Sequence, residues 1–329
     1  MLEGLAPDNH EGRSALTAEL VEVAQAAAGA AAQARLEGLD PLTMNVLARH
    51  APAGRALLEM TSLPQTFSHS QLRLYSECPL KYAFDKVYRI PVSERPGYFE
   101  FGAVIHRAFE VYARDRRDAV AAGLPVPGYE ALKQAFDAAW QPRNFADAQA
   151  AEHYSKRAEP ALRRFFEREV ASLSEAVAFE AGFTLELAGD PGEAPVLLYG
   201  IIDRIDRRPD GSIEITDYKT GKPKNQKDVD ADEQLSAYAL AMSMGAVMDP
   251  STKLRLPPAS QLTLYFTEID QAVSTTRTAE QLEAFRLTVL EKARRMRSGD
   301  FTATPDQWRC GRCDYRLICP SRFGADNAV

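Results

Sequence analysis

Two aspartates and a lysine lie around a turn signal in the middle of the chain. The stretch runs from GIIDRID through Arg208-Pro209-Asp210-Gly211 to TDYKTGK, and Pro-Asp-Gly is typical of a hairpin turn. Because Asp203 and Asp217 are equally far from Asp210, a symmetric hairpin places them opposite each other, with Cβ atoms about 4.5–5.5 Å apart. Lys219 is two residues beyond Asp217 and therefore points to the same face of the strand.

Paired carboxylates of this kind repel each other unless something neutralises them. A divalent cation does so, and Mg²⁺ needs only one or two carboxylate ligands besides phosphate and water. An ammonium beside the cation can hold an attacking water and offset charge in the transition state. Asp203, Asp217 and Lys219 are thus suited to phosphodiester hydrolysis, and the plain alternative is a surface hairpin with scattered charges.

Two helical patterns contain further polar residues. His106 lies in the amphipathic stretch FGAVIHRAFE, where a lone histidine is more often a core or capping residue than a ligand. Gln234 and Tyr238 are four residues apart, so they share one face of a helix. Neither observation indicates a site by itself.

The chain has four cysteines, and three of them form a C-x2-C-x5-C pattern near its end: Cys78, Cys310, Cys313 and Cys319. Disulfides are disfavoured in a cytoplasmic protein, so a four-thiolate metal site is expected, ahead of plain structural thiols. The spacing leaves zinc and an iron–sulfur cluster equally open. Either would staple the two ends of the region between Cys78 and Cys319 and stabilise the fold, because the closed loop is long.

Composition predicts a cytoplasmic globular protein. The sequence has 329 residues with 45% hydrophobic side chains, no segment apolar enough to span a membrane, and no signal peptide at its polar start. The net charge of −7 argues mildly against nucleic-acid binding. Basic residues nevertheless cluster at 204–208, 219–227 and 294–297, where the alternative is an ordinary solvated face.

The hydrophobic periodicity indicates which elements position these residues. It predicts helices at 14–37, 42–60, 99–117, 129–140, 156–177, 231–244 and 278–297, and strands at 179–187, 196–207, 212–218 and 261–268. Ser68 or Ser70 can cap a further helix, and Pro79 suits the first turn of the next one. The fold class is therefore α/β, a short mixed sheet flanked by helices.

The same pattern predicts three regions along the chain: a helical N-terminal extension or docking segment at 1–65, the main domain at 66–322, and a tail at 323–329. We find no chemistry in the first of them. The sequence has no G-x-x-x-x-G-K-[ST] loop, which excludes a nucleotide-driven motor of that type.

Six motifs together resemble the RecB-like branch of the PD-(D/E)XK nucleases, over roughly residues 66–322. They are SQLRLYSECPLKYAF, FGAVIH, GIIDRID, DYKTGK, QLSAY and CGRCDYRLIC, in that order. The pattern is most similar to the iron–sulfur nuclease domains of AddAB-type helicase–nucleases and to the Cas-type exonucleases of CRISPR adaptation.

The resemblance implies a restriction-endonuclease-like core and a role for each residue. The implied ligands of Mg²⁺ or Mn²⁺ are His106, Asp203, Asp217 and the backbone carbonyl of Tyr218. Lys219 would be the catalytic lysine, Gln234 and Tyr238 would orient it and the DNA backbone, and Glu180 would correspond to a semi-variable acidic position. At the cysteines the resemblance implies a [4Fe–4S] cluster, with Zn²⁺ as the alternative.

The expected activity is a Mg²⁺- or Mn²⁺-dependent deoxyribonuclease acting on single-stranded DNA or DNA ends, in DNA repair, recombination or related processing. A helicase subunit or domain is the expected protein partner. One alternative is a non-catalytic DNA-binding or tethering module of a helicase complex, and the other is a zinc-stapled protein-interaction domain.

Overall fold

The computed structural model describes residues 65–92 and 97–323. The helices expected at 14–37 and 42–60 lie outside these residues, as does all of the expected tail except Phe323. Within the described ranges, no helix combines the length and apolar composition that crossing a bilayer requires. The division of the chain at residues 66 and 322 remains a prediction.

The described residues form two compact units. The smaller contains 65–92, 188–196 and 288–323, and the larger contains 97–187 and 197–287. Their helices are α1 (His69–Glu77), α2 (Pro79–Tyr82), α3 (Gly97–Ala122), α4 (Tyr129–Ala139), α5 (Ala148–Ala171), α6 (Gln226–Asp230), α7 (Glu233–Ser243), α8 (Ala279–Arg297) and α9 (Gln307–Gly311). Their strands are β1 (Thr66–Ser68), β2 (Glu175–Leu187), β3 (Val196–Arg207), β4 (Ile213–Lys219), β5 (Gln261–Phe266) and β6 (Gln271–Thr275).

A mixed sheet lies at the centre of the larger unit. Its strands follow the order β2-β3-β4-β5-β6, in which β3 and β4 are antiparallel, β4 and β5 parallel, and β5 and β6 antiparallel. Helices flank this sheet, which confirms the predicted α/β class.

The β3–β4 hairpin has the predicted symmetric register. Arg204 pairs with Thr216. One residue further from the turn on each strand, the same register places Asp203 beside Asp217. The turn is closed by the Asp210 side chain, which accepts hydrogen bonds from the backbone N–H and the hydroxyl of Ser212 at 2.9 and 2.6 Å. A turn of this kind fixes which residues face each other across the two strands.

The core beside the sheet is built largely from α3 and α5. Phe109 of α3 stacks on Phe165 of α5 with ring centroids 3.7 Å apart, and both rings meet the edge of Tyr218 from β4. Because successive side chains of a strand point to opposite faces, the buried ring of Tyr218 places Asp217 and Lys219 on the other face of β4.

Helix α7 is enclosed on all sides. Residues Leu235–Met242 are all buried, and Asp232 caps the helix by accepting hydrogen bonds from the N–H groups of Gln234 and Leu235, both at 3.0 Å. A helix held in this way keeps Gln234 and Tyr238 in fixed positions, as their four-residue spacing requires.

Some predicted boundaries are wrong. The helix expected at 156–177 is α5, which begins at Ala148 because the Asp147 side chain accepts a hydrogen bond from the N–H of Ala150 at 2.7 Å. The expected end of this helix, residue 177, lies within β2, so the apolar residues there belong to a strand and not to a helix. Strand β6 and the short helix α6 were not predicted.

In the smaller unit, the predicted helix signals near residue 68 are confirmed. Ser68 and Gln71 form a capping box at the start of α1, and Pro79 begins α2. The C-terminal segment packs onto this region, since the Tyr315 hydroxyl donates to the carbonyl of Ile90 at 3.2 Å and the Arg309 guanidinium donates to that of Glu77 at 2.6 Å.

Candidate active site

Four of the predicted residues form a ring of polar contacts between β4 and α7. The Lys219 ammonium donates to Oε1 of Gln234 at 2.9 Å, and Nε2 of Gln234 donates to the Tyr238 hydroxyl at 2.6 Å. The Tyr238 hydroxyl donates to Oδ1 of Asp217 at 3.1 Å, and Oδ2 of Asp217 lies 2.5 Å from the Lys219 nitrogen. Gln234 and Tyr238 therefore position Lys219 and Asp217 together.

Three ligand-type side chains converge beside this ring. His106 from α3, Glu180 from β2 and Asp203 from β3 each offer an atom, and these atoms all lie within 4.8 Å of one another. Nδ1 of His106 is 3.4 Å from Oδ2 of Asp203, which also accepts a hydrogen bond from the N–H of Tyr218 at 2.8 Å. This hydrogen bond places the peptide of Tyr218 at the edge of the group.

The electrostatics of the group suit a cation. Burial and the neighbouring Asp217 raise the pKa of Asp203 well above its usual value, which the nearby Lys219 and the N–H of Tyr218 only partly oppose. Burial lowers the pKa of His106, which favours the neutral imidazole that a metal needs. Burial also works to lower the pKa of Lys219, but Asp217 outweighs it and the net pKa is raised, so the lysine stays an ammonium.

The donor set fits a divalent cation on a further observation. Asp217 is only 1% exposed, and the Lys219 ammonium 2.5 Å from its Oδ2 is one positive charge beside the three carboxylates Glu180, Asp203 and Asp217. Buried carboxylates in excess of their counter-charges are costly, and a cation offsets that cost. Carboxylate oxygens with one imidazole are ligands that Mg²⁺ and Mn²⁺ accept.

Glu180 is the residue that sequence reasoning characterised least. Its backbone adopts φ of +47° inside β2, an uncommon conformation for a residue other than glycine. Such strain is concentrated at functional sites, where surrounding structure imposes it. Burial and the nearby Glu110 and Asp217 raise the pKa of Glu180, so its carboxylate too lies in a negative environment. The acidic character of Glu180 was visible in the sequence, but its position depends on this backbone conformation.

The structure thus brings all the predicted site residues of the larger unit together. Of the predicted ligands, His106 and Asp203 belong to the tight group of three. Asp217 lies on the lysine side of it, close enough to raise the pKa of Asp203.

Two of the basic clusters, for which the sequence left open a nucleic-acid-binding patch or an ordinary solvated face, are largely engaged in contacts of their own. Arg204 is only 5% exposed and pairs with Asp206 and Glu169, so it cannot belong to such a face. Arg294 pairs with Asp190, Glu193 and Glu291, and its neighbours pair within the smaller unit as well. In the third cluster, Lys222 and Lys227 are exposed.

The four cysteines of the smaller unit line one pocket of about 400 Å³. Cys78 lies between α1 and α2, and α9 with the following turns contributes Cys310, Cys313 and Cys319. Burial and the nearby thiols raise the pKa of Cys319 to about 11. Four thiols lining one pocket are the residue type that binds zinc or an iron–sulfur cluster, but among the described residues only His106, Glu180 and Asp203 bring their ligand atoms within 4.8 Å of one another.

The chain is similar to known proteins chiefly at the level of a family model. No curated protein matches the chain. A solved structure described as "Crystal structure of SSO0001" is similar at 13% sequence identity with a TM-score of 0.39, covering 82% of this chain and 94% of that one. The family model of the PD-(D/E)XK nuclease superfamily matches residues 66–320, most of the chain and all of the site residues described above. This chain therefore belongs to the PD-(D/E)XK nuclease superfamily, which indicates a metal-dependent nuclease with a restriction-endonuclease-like fold.

Proposed function

We propose that this chain is a Mg²⁺- or Mn²⁺-dependent deoxyribonuclease that hydrolyses phosphodiester bonds in single-stranded DNA or at DNA ends, in repair, recombination or related processing. The convergence of His106, Glu180 and Asp203 next to the Asp217–Lys219 pair carries the proposal. The residues that would hold the cation are His106, Glu180, Asp203, Asp217 and the carbonyl of Tyr218.

Each side chain has a defined task in this proposal. The bound cation supplies a Lewis acid for the scissile phosphate and lowers the pKa of a water. Lys219, kept protonated by Asp217, orients the attacking water and offsets negative charge in the transition state. Gln234 and Tyr238 hold the ammonium and Oδ1 of Asp217, so neither side chain has to reorganise during the reaction.

The test is cleavage of end-labelled single- and double-stranded DNA in EDTA, Mg²⁺ and Mn²⁺. We expect cleavage with either cation and none in EDTA. Asp203→Asn should lower the rate by at least about 10²-fold, because it removes a charged ligand. Asp137→Asn, at an exposed position of α4, is the matched control and should cleave normally. A wild-type protein that binds DNA without cutting it in any metal would instead support the tethering module.

We further propose that the four cysteines hold a [4Fe–4S] cluster, with Zn²⁺ as the alternative. The origin of the thiols supports the cluster: one pocket is lined by four cysteines drawn from both ends of the matched region, the arrangement that the family resemblance implies.

Removal of one thiol should reveal the cluster. Cys319→Ser, purified without oxygen, is expected to lose the brown colour and visible absorbance of the wild type, with iron falling from about four atoms per chain to near zero. Its thermal midpoint should also fall, since the site joins segments distant in sequence. Ser321→Ala, in the same pocket, is the control and should keep its iron. Zinc without iron in the wild type would overturn the cluster.

A helicase subunit or domain is the proposed protein partner. The net charge of −7 opposes binding to DNA phosphates, and Arg204 and Arg294 are already paired with carboxylates. Such a nuclease would depend on a partner for part of its affinity for DNA.

A further inference from the structure

Two exposed aromatic side chains lie at the rim of the catalytic pocket. Tyr98 and Phe99, in the first turn of α3, are 51% and 59% exposed. Their ring centroids are 4.4 Å apart with the planes tilted by 37°. The buried face of the helix is formed by other residues, among them Phe101, Ile105 and Phe109, so packing does not account for this pair.

The same pocket contains catalytic groups. It has a volume of about 590 Å³, and Tyr98 and Phe99 line it together with His106, Glu180 and Lys219. The two rings therefore give the pocket of the polar groups an exposed aromatic surface, on which a base next to a phosphate bound there could lie.

The rim is held rigidly enough to act as a platform. A Cβ on Gly97 would lie 2.8 Å from the Tyr154 ring, so the start of α3 packs closely against α5. Nδ2 of Asn144 donates to Glu100 at 2.6 Å and fixes the same turn. Thr220, at the end of β4, would lie 3.2 Å from a Cβ on Gly102. The aromatic pair is therefore placed by both α5 and the strand that carries Lys219.

We propose that Tyr98 and Phe99 form a base-stacking platform that makes this site select an unpaired strand. In a duplex each base already stacks on its neighbours, so its faces are not available to the rings, whereas a base of a single strand can lie on them. Lys222 is exposed and follows Gly221, a residue of the pocket lining, so its charge is available to the strand's phosphates. This inference rests on the proposed nuclease function and names the residues that determine its substrate.

The first test measures kcat and KM on a single-stranded oligonucleotide and on a blunt duplex. In the double variant Tyr98→Ala/Phe99→Ala, we expect kcat/KM on the single strand to fall between about 5- and 100-fold, mainly through KM. The preference for single strand over duplex should fall with it. Val120→Ala is the matched control, because Val120 is 56% exposed on the same helix about 33 Å away.

The second test reads stacking directly and needs no cleavage. An oligonucleotide containing 2-aminopurine is bound in EDTA, and its fluorescence should be quenched by the wild type and by Phe99→Trp but much less by Phe99→Leu. Quenching without cleavage in any metal would sustain the platform while the nuclease proposal fails. The platform would be overturned if the wild type cleaves DNA but the double variant Tyr98→Ala/Phe99→Ala shows the same quenching and the same KM. The two rings would then be a surface for a protein partner.

Discussion

Replacement of Lys219 by methionine is expected to lower kcat by about 10²–10⁴-fold while the protein still binds its divalent cation. Lys219 is not among the ligand-type residues, which remain in place around His106, Glu180 and Asp203. The lost group is the ammonium 2.5 Å from Oδ2 of Asp217. Single-turnover cleavage with saturating Mn²⁺ measures the chemical step, and calorimetry measures Mn²⁺ binding.

The ammonium acts as a cation and hydrogen-bond donor in this site. Asp217 overcomes the effect of burial and raises the pKa of Lys219, so the side chain is not a general base at neutral pH. Burial together with Asp217 likewise raises the pKa of Tyr238, which keeps its hydroxyl a donor to Asp217. The ring of contacts therefore keeps both Lys219 and Tyr238 protonated before substrate binds.

The arginine variant separates charge from geometry. Lys219→Arg keeps the positive charge but replaces a compact ammonium with a longer, planar fork, which changes the geometry of the contact to Oε1 of Gln234. We expect it to remain at least about tenfold slower than wild type, because the attacking water is no longer oriented. Activity of Lys219→Met within tenfold of wild type would show that this lysine does not take part in the chemical step.

The hairpin could be predicted because its information is local. The turn around Asp210 fixes the register, and the two-residue period of strands then places Asp203, Asp217 and Lys219. The spacing of Gln234 and Tyr238 fixes their shared helix face in the same way. These residues lie together in the structure as the sequence predicted.

Contacts between distant segments were not predictable in this way. Glu180 reaches His106 and Asp203 through a left-handed backbone position that the sequence does not indicate. Arg204 was counted with a basic cluster, since no local pattern shows that Glu169 approaches it from α5. Strand β6 is short, and its sequence QAVST has too few apolar residues to produce a clear period.

Arg204 is the residue whose loss should destabilise the fold most. Its guanidinium donates to both oxygens of Asp206 at 2.9 and 2.7 Å, to Glu169, and to the Tyr218 hydroxyl at 3.3 Å. Its only described acidic partners are themselves buried. Arg204→Met should therefore lower the free energy of unfolding by about 3–5 kcal/mol, because it leaves two carboxylates buried without their cation.

The pH dependence of that loss has a definite sign. Burial already raises the pKa of Asp206 even with Arg204 present, and removing the arginine should raise it further. The folded variant then binds more protons than the unfolded chain, so its stability falls as pH rises above the unfolded pKa of about 3.9. In urea unfolding, the free energy of unfolding of Arg204→Met should lie further below that of the wild type at about pH 8 than at about pH 5.

Two further variants decide between a charge effect and a packing effect. Arg207→Met, on the same strand but at an exposed ion pair with Glu175, should change stability by less than about 1 kcal/mol. The triple variant Arg204→Met/Glu169→Leu/Asp206→Leu removes all three charges and should recover most of the loss, since apolar groups tolerate burial. If the triple variant is as unstable as Arg204→Met and the deficit does not change with pH, packing of the arginine rather than its charge stabilises this region. Whether charge or packing is the cause, loss of Arg204 removes the hydrogen-bond partner of the Tyr218 hydroxyl. Tyr218 lies in β4 between Asp217 and Lys219, so β4 is the part of the site that should be destabilised first.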